Sequence, residues 1–140
     1  MRLDCFVDKV IIITGASSGI GLASARLFGS LGAKVVMAAR SYETLLELAP
    51  GVSSDPKKVL CVKTDVSVES DCKELIERTV AEFGRIDILV NNAGISMRAM
   101  FKDLDLSVIH SLMDVNFWGT VNCTKYALPW LLESKGQLVG

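Results

Sequence analysis

Short runs of apolar, often β-branched residues alternate along the chain with stretches in which apolar residues recur at helical spacing. Runs of this kind, bounded by turn residues, are typical of strands that are covered on both faces of a sheet. From them we predict five strands, at Val10–Ile13 ending in Thr14, Lys34–Ala39, Val59–Val62, Ile86–Val90 and Gln137–Val139.

Helices are predicted between the strands. In the first, which begins at Gly19, we expect Ile20, Ala23 and Leu27 to share the buried face, and Gly32 to close the helix. The other helices are predicted at Tyr42–Ala49, from an N-cap at Ser67 to Gly84, and from near Asp105 to about Ser134 with a bend at Pro129.

This repeated strand–helix alternation predicts an α/β fold with a parallel sheet, right-handed crossovers and helices on both faces. We expect a doubly wound, Rossmann-type sheet with strand order 3-2-1-4-5, in a single dinucleotide-binding domain of residues 1–140. Because the last predicted strand starts only at Gln137, we expect this domain to be incomplete at its C-terminal end.

Composition narrows the possible functions. The chain has 15 basic and 16 acidic residues that are interspersed, so the basic patch of a nucleic-acid binder is missing. No run approaches the roughly 20 apolar residues of a membrane span, and Met1–Lys9 has no secretory signal. The cysteines have no metal-ligand spacing, and we interpret them as small core residues in a reducing compartment; they are Cys5, Cys61, Cys72 and Cys123. We expect a soluble, cytoplasmic protein without a bound metal.

The strongest chemical signal is the glycine-rich segment Thr14–Gly21, which lies directly between a predicted strand and a predicted helix. Gly15 allows the sharp turn, while Gly19 and Gly21 remove side chains where a pyrophosphate approaches the backbone and where the helix packs on the sheet. Free N–H groups at the helix start would then face the phosphates. No Gly-Lys-Ser/Thr follows, which excludes a P-loop. The alternative is a glycine-rich connection that binds nothing.

The end of the second strand indicates which dinucleotide is bound. Dinucleotide folds commonly place an acid there, about 20 residues past the turn, to hold the adenine-ribose hydroxyl. This chain has Arg40 instead, and a guanidinium suits a 2′-phosphate. We therefore predict a preference for NADP(H), with NAD(H) possible. The alternative is that Arg40 is a solvated residue at the start of the next helix.

Four motifs in order, Thr14–Gly21, Asp65-Val66, Asn91–Gly94 and Asn116, resemble those of the classical short-chain dehydrogenase/reductase family over most of the chain. The resemblance implies that Asp65-Val66 contacts the adenine and that the Asn-Asn-Ala-Gly segment supports the sheet and lines the path to the nicotinamide ribose. The cofactor-binding residues that we predict are Gly15, Ser17, Ser18, Gly19, Ile20, Gly21, Arg40, Asp65, Val66, Asn92, Ala93 and Gly94.

Simpler interpretations of the same residues stay open. Asp65 could be an ordinary turn acid at a strand end, and Asn91 and Asn92 could satisfy buried backbone groups. Asn116 lies in an apolar helical stretch, where its amide needs a partner or a water. The resemblance implies that the matching asparagine kinks the helix and helps to anchor a water in a proton relay.

The family transfers a hydride between NAD(P) and a carbonyl/alcohol pair, using a serine and a Tyr-x-x-x-Lys pair. Four residues after Tyr42 comes Leu46, and four after Tyr126 comes Trp130, so the pair is absent and only Asn116 matches the catalytic set. We expect the N-terminal part of a longer oxidoreductase that acts on a small carbonyl or alcohol, with the 140-residue chain inactive alone. The alternative is a non-catalytic NADP(H)-binding or scaffold protein. The glycine spacing argues against a methyltransferase or an epimerase.

A few further residues complete the predictions. We expect His110 to be an exposed helix residue. The loop Ile95–Lys102 either walls the substrate site or packs beneath the long helix. Trp118, Tyr126 and Trp130 are interpreted as core or subunit-contact residues, and the resemblance implies a homo-oligomer.

Overall fold

A computed structural model describes residues 3–140 of the chain. It contains a five-stranded parallel sheet with the order β3-β2-β1-β4-β5, which confirms the predicted fold class and strand order. Met1 and Arg2, which belong to the segment in which we found no secretory signal, lie outside the described residues. The strands are β1 (Val10–Thr14), β2 (Lys34–Ala39), β3 (Val59–Lys63), β4 (Ile88–Val90) and β5 (Gln137–Val139).

In the described part of the chain, five α-helices connect the strands and cover both faces of the sheet. None of the helices in residues 3–140 is long and apolar enough to cross a bilayer. The helices are α1 (Gly19–Ser30), α2 (Tyr42–Leu48), α3 (Glu69–Phe83), α4 (Leu106–Met113) and α5 (Gly119–Ser134), with short 3₁₀ turns at Leu3–Phe6, Ala49–Gly51, Pro56–Lys58 and Phe101–Asp103.

The central strand β1 is fully buried and supplies both halves of the core. Ile11 lies opposite Val35 of β2 and Ile88 of β4 in the parallel ladder. Successive side chains of a strand point to opposite faces. Accordingly, Ile11 belongs to the apolar cluster on the side of α1 and α2, and Ile12 to the cluster on the side of α3 and α5. The sheet therefore presents its carboxyl ends between two packed layers of helix.

The buried face of α1 differs from the prediction. Ile20 and Leu27 are 79% and 58% exposed, and Ala23 is also exposed. The buried residues are Gly21, Ala25 and Gly29, at i, i+4 and i+8. Such small side chains let the helix lie close to its neighbours, and a Cβ at Gly29 would overlap the carbonyl oxygen of Val52. Close backbone approach therefore sets the centre of this face, and the larger Leu22 and Phe28 pack beside it.

The start of α3 was also predicted incorrectly. Val68, not Ser67, occupies the N-cap position, and no side chain caps the helix there. The Ser67 hydroxyl donates instead to Asp65 Oδ1 at 2.6 Å, while Asp71 reaches back to accept from the Asp65 amide at 2.9 Å. Asp65 holds the amide and the hydroxyl of Ser67 in a turn before the helix, and no helix amide donates to that hydroxyl.

The predicted long helix is not continuous. A π-helical segment, Asp114–Trp118, lies between α4 and α5, while α5 itself continues through Pro129. Segments of π-helix arise where the regular hydrogen-bond pattern is interrupted, and they occur often at functional sites. The irregularity therefore lies around Asn116, well before the proline at which a bend was expected.

The strand β4 starts two residues later than predicted, and Asp87 occupies the position just before it. Asp87 is 5% exposed, and its carboxylate accepts from the Val10 amide at 2.9 Å and pairs with Arg85. This buried acid joins β4 to the beginning of β1, at the end of the sheet opposite the glycine turn. This buried acid was not among the residues predicted from the sequence.

The cysteine prediction holds for three of the four residues. Cys61, Cys72 and Cys123 are buried thiols, whereas Cys5 in the first 3₁₀ turn is exposed, so its assignment to the core is wrong. All four are free. Within residues 3–140, no three His, Cys, Asp or Glu side chains come together as a possible metal site.

Candidate functional site

A cleft opens at the carboxyl ends of β1, β2, β3 and β4, where parallel α/β sheets hold their ligands. Of the predicted cofactor-binding residues, nine line it: Gly15, Ser17, Ser18, Arg40, Asp65, Val66, Asn92, Ala93 and Gly94. Gly19, Ile20 and Gly21 form the first turn of α1 beside it, and Asn116 lies behind its wall. The four sequence motifs therefore meet in one place.

The turn between β1 and α1 depends on left-handed backbone at two glycines, Gly15 with φ +65° and Gly19 with φ +55°. The Ala16 amide donates to the carbonyl of Ala38 at 3.1 Å, which ties the turn to β2. The Ser18 side chain does not cap α1. The first amides of the helix, which lie beside the cleft, therefore have no side-chain cap as an acceptor, as an anion site requires.

Gly19 and Gly21 have different structural roles. A Cβ at Gly19 would have no described atom within 4 Å, so only the positive φ and the space above the turn require glycine there. A Cβ at Gly21 would overlap the carbonyl oxygen of Gly15 and the Asn92 side chain. Gly21 therefore packs the helix against the turn, whereas Gly19 leaves room for a ligand.

The buried hydroxyl of Thr14 joins the glycine turn to the loop after β4. Thr14 Oγ1 accepts from the amides of Asn92 and Ala93 at 3.0 and 2.9 Å. In return, the Asn92 side chain donates to the carbonyls of Thr14 and Gly15, at 3.0 and 3.3 Å. The interpretation of Asn92 as a residue that satisfies backbone groups is thus confirmed, and this bonding also fixes two walls of the cleft relative to each other.

Arg40 follows directly after β2 and lies exposed at the edge of the cleft. Within residues 3–140, no carboxylate comes within 4 Å of its guanidinium. Ser17, Ser18 and Ser41 line the same cleft. A free guanidinium with three hydroxyl-bearing residues in its cleft is suited to a phosphate group.

Asp65 and Val66 form the far wall of the cleft, after β3. Asp65 Oδ1 accepts from the amide and hydroxyl of Ser67, so the acid is held in a turn as the simpler interpretation predicts. The Val66 carbonyl accepts from Asn122 of α5 at 3.1 Å, and Val66 is 7% exposed. Gly119 allows α5 to pack closely against Val66, because a Cβ at Gly119 would lie 2.6 Å from Val66 Cγ2. This wall offers an apolar surface beside a carboxylate.

Asn116 finds its partner in the backbone of Ile95. Its Oδ1 accepts from the Ile95 amide and its Nδ2 donates to the Ile95 carbonyl, both at 2.8 Å. The polar amide in an apolar stretch is thereby explained, since it holds the segment after Gly94 against the π-helical turn. Its part in a proton relay stays a prediction.

The remaining predicted residues are placed as follows. His110 is exposed, as expected. In the loop Ile95–Lys102, Met97, Met100 and Phe101 are 49%, 66% and 75% exposed. This loop therefore does not pack beneath the helical segment that contains α4 and α5. Trp118 is 51% exposed, which excludes it from the core.

Tyr126 does not take the place of the absent catalytic tyrosine. Its hydroxyl donates to Glu69 Oε1 at 2.5 Å, away from the cleft. The bond to this carboxylate raises the pKa of Tyr126 above its ordinary value. A phenol that acts as a general acid or base near neutral pH needs the opposite shift.

Several cleft residues were missed by the sequence analysis. Ser41 follows Arg40, and Val115 precedes Asn116 in the π-helical turn; both line the cleft. Ser41 could have been found from its position next to Arg40 at the end of a strand. Val115 carries no local signal, because only the folded chain brings it opposite the glycine turn. The role of the Thr14 hydroxyl also depends on partners 78 residues away.

The sequence and structural comparisons agree with this geometry. A family model described as short chain dehydrogenase matches residues 9–140. The curated relative 11-beta-hydroxysteroid dehydrogenase A of Sesamum indicum is 42% identical over 133 residues, which make up 94% of this chain and 38% of that protein. The chain therefore spans less than half the length of this relative.

Solved structures share the fold as well. An alcohol dehydrogenase from Thermococcus sibiricus, complexed with 5-hydroxy-NADP, superposes with a TM-score of 0.88 at 30% identity, over 93% of this chain and 56% of that one. A 3-ketoacyl-(acyl-carrier-protein) reductase from Brucella melitensis, complexed with NADH, gives a TM-score of 0.85 at 32% identity, over 91% of this chain and 52% of that one.

Proposed function

Because this chain belongs to the short-chain dehydrogenase family, we propose that residues 1–140 form one dinucleotide-binding domain of an NAD(P)(H)-dependent oxidoreductase. The reaction moves a hydride between the nicotinamide and a small carbonyl or alcohol substrate. The observation that carries the proposal is the cleft itself, in which the glycine turn, Arg40, Asp65-Val66 and Asn92–Gly94 line one space.

The described residues fit such a cofactor. The open space above Gly19 and the uncapped amides of the first turn of α1 suit a diphosphate. Asp65 and Val66 suit the adenine, with the carboxylate accepting from the amino group. Asn92, Ala93 and Gly94 lead towards the nicotinamide ribose. When bound, the cofactor supplies the hydride; the chain binds and orients it, and the Asn116 clamp on Ile95 keeps the wall nearest to the ribose in place.

We propose that NADP(H) binds more tightly than NAD(H), because Arg40 is free to pair with a 2′-phosphate and no acid occupies the end of β2. The test is a fluorescence titration of NADPH and NADH. Arg40→Leu should weaken NADPH binding by about tenfold or more and leave NADH nearly unchanged. Arg26→Leu, on the exposed side of α1, is the control. Equal affinity of the unmodified chain for both dinucleotides contradicts the preference.

A second candidate is a domain that binds the cofactor without turning over a substrate. It is favoured by the two tyrosines, since Tyr42 and Tyr126 both lack a lysine four residues later and Tyr126 is bonded to Glu69. We propose that the 140-residue chain itself binds NADPH but oxidises none of it with small ketones and aldehydes. Turnover above the uncatalysed rate, followed at the NADPH absorbance, would show that the chain carries a different acid/base group.

We also propose that the domain associates with further copies of itself. Phe117, Val121 and Leu132 are 50%, 36% and 70% exposed. Their spacing places them on one face of the helical segment formed by the π-helical turn and α5. Exposed apolar stripes of this kind mark contact surfaces. Light scattering during gel filtration tests the proposal, since Val121→Glu should shift the protein from an oligomer to a monomer.

A further inference from the structure

A second cavity, of about 570 Å³, lies at the free edge of the sheet and shares no residue with the cofactor cleft. The outermost strand β3 forms its floor, through Val59, Leu60 and Cys61. The volume falls within the range of small-molecule sites, roughly 300–1,000 Å³. The cavity is therefore large enough for one organic ligand.

Much of the wall of this edge cavity is apolar and comes from the segments on either side of β3. Tyr42 and Leu46 of α2 form one side, and Pro50 and Pro56 belong to the loop that crosses the edge. Leu46 is 50% exposed, so its side chain borders the opening as well as the interior. An apolar body would remove this surface from water, which is the main source of affinity in such a site.

Arg78 is the one charged residue among those lining the edge cavity. It projects from α3, and no carboxylate comes within 4 Å of it in residues 3–140. Ser53 and Ser54 line the loop side of the same cavity. Arg78 also lowers the pKa of the Cys61 thiol, which opposes the larger rise caused by burial. The positive charge of Arg78 therefore acts on Cys61 in the floor of the edge cavity.

We propose that the edge cavity binds a small amphipathic anion, an apolar body carrying one carboxylate or sulfonate group that pairs with Arg78. Charge complementarity supports this choice, because the lining offers one cation, two hydroxyl-bearing loop residues and no acid. The apolar walls would hold the body, and the guanidinium and serine hydroxyls would hold the head group. This site lies beyond the proposed cofactor cleft, and only the use of NADP⁺ as a competitor in the test rests on that proposal.

The test uses two probes with the same ring system. Anilinonaphthalene sulfonate carries the anion, and phenylnaphthylamine lacks it. Both are titrated by fluorescence in the presence of saturating NADP⁺, which keeps the probes out of the cofactor cleft. Arg78→Met should weaken sulfonate binding by about tenfold and change the neutral probe less than twofold. Lys73→Met, which removes one positive charge elsewhere on α3, should change neither.

Leu46→Ser locates the binding at the cavity wall. It should weaken both probes by about fivefold, because it removes apolar contact area without changing charge. Circular dichroism shows that each variant is folded. The proposal is overturned if the sulfonate fails to bind with NADP⁺ present, if Arg78→Met and Lys73→Met have equal effects, or if Leu46→Ser leaves both affinities unchanged.

Discussion

The side chain of Asn116 forms two hydrogen bonds, both of 2.8 Å, with the backbone amide and carbonyl of Ile95. The two residues are 21 positions apart, and their contact joins the π-helical turn to the wall of the cofactor cleft. Gly94 lies beside the side-chain amide of Asn116, since a Cβ at Gly94 would be 3.3 Å from Asn116 Oδ1. The position of the Asn92–Gly94 segment therefore depends on this clamp as well as on Thr14.

Replacing Asn116 by Leu should release the Ile95 segment. We expect a loss of about 1–2 kcal/mol in the free energy of unfolding, because two hydrogen bonds are removed at a partly solvated site. NADPH binding should weaken as well. Urea unfolding and NADPH titration measure the two effects. The control is His110→Gln, a change of an exposed residue in α4, which leads into the π-helical turn. Equal effects of both variants would contradict the role of the hydrogen bonds between Asn116 and Ile95.

The Thr14 hydroxyl gives a second prediction. Thr14→Val keeps the shape of a side chain that is 1% exposed but removes the acceptor for the amides of Asn92 and Ala93. We expect the free energy of unfolding to fall by about 1–2 kcal/mol, since two part-buried amides lose this acceptor, although the Asn92 amide keeps the Val90 carbonyl. Thr14→Ser retains the hydroxyl and should recover most of the loss. If the valine variant is as stable as the serine variant, the hydroxyl does not hold the two loops together.

Two glycines of the first helical turn should respond differently to alanine. Gly21→Ala forces a methyl group onto the Gly15 carbonyl and the Asn92 side chain, so either the helix or the turn must move. Gly19→Ala costs only the strain of a left-handed residue, about 1 kcal/mol. Thermal unfolding should therefore show a larger loss of stability for Gly21→Ala. The reverse order would mean that the close approach at Gly21 is absent.

Much of the sheet could be predicted because its strands are buried on both faces and are therefore almost wholly apolar. The first helix shows where this reasoning fails. Large residues such as Ile20 and Leu27 were placed inside, yet they are exposed, because Gly21, Ala25 and Gly29 allow the backbone itself to pack closely. Hydrophobic spacing identifies a helix, but it does not identify the face when the contact is made by small residues.

The site was predictable to the extent that its residues follow strands. Arg40 comes immediately after β2 and Asp65 two residues after β3, and parallel strands bring such positions to one edge. The contacts that hold the cleft together were not predictable. Thr14 with Asn92, and Asn116 with Ile95, are hydrogen bonds between distant segments that leave no periodic signal in the sequence.

The thiols allow a further check of the fold. Cys5 is exposed, whereas Cys72 and Cys123 are buried with their sulfur atoms 3.4 Å apart, and burial raises the pKa of Cys61. A raised pKa lowers the thiolate fraction of Cys61 at neutral pH, and burial shields Cys72 and Cys123 from the reagent. We expect one thiol to react rapidly with a disulfide reagent at pH 7 and the other three only after unfolding. Cys5→Ser should remove the rapid phase, and its persistence would place another thiol at the surface.

The central claim is that a dinucleotide diphosphate binds over the glycine turn, and a matched pair of variants tests it most directly. Gly19 and Gly84 both have positive φ, +55° and +74°, and both have open space where a Cβ would lie. Gly84 ends α3, outside the cofactor cleft. Gly19→Val and Gly84→Val thus impose similar backbone strain, but only the first fills the proposed phosphate site.

The measurement is NADPH affinity by fluorescence titration of both variants, with circular dichroism confirming that each is folded. Gly84→Val should bind NADPH like the unmodified chain, while Gly19→Val should lose binding by at least about a hundredfold, because its side chain occupies the space of the phosphates. If Gly19→Val is folded and retains its affinity, or if the unmodified chain binds neither NADPH nor NADH, the diphosphate does not lie over this turn.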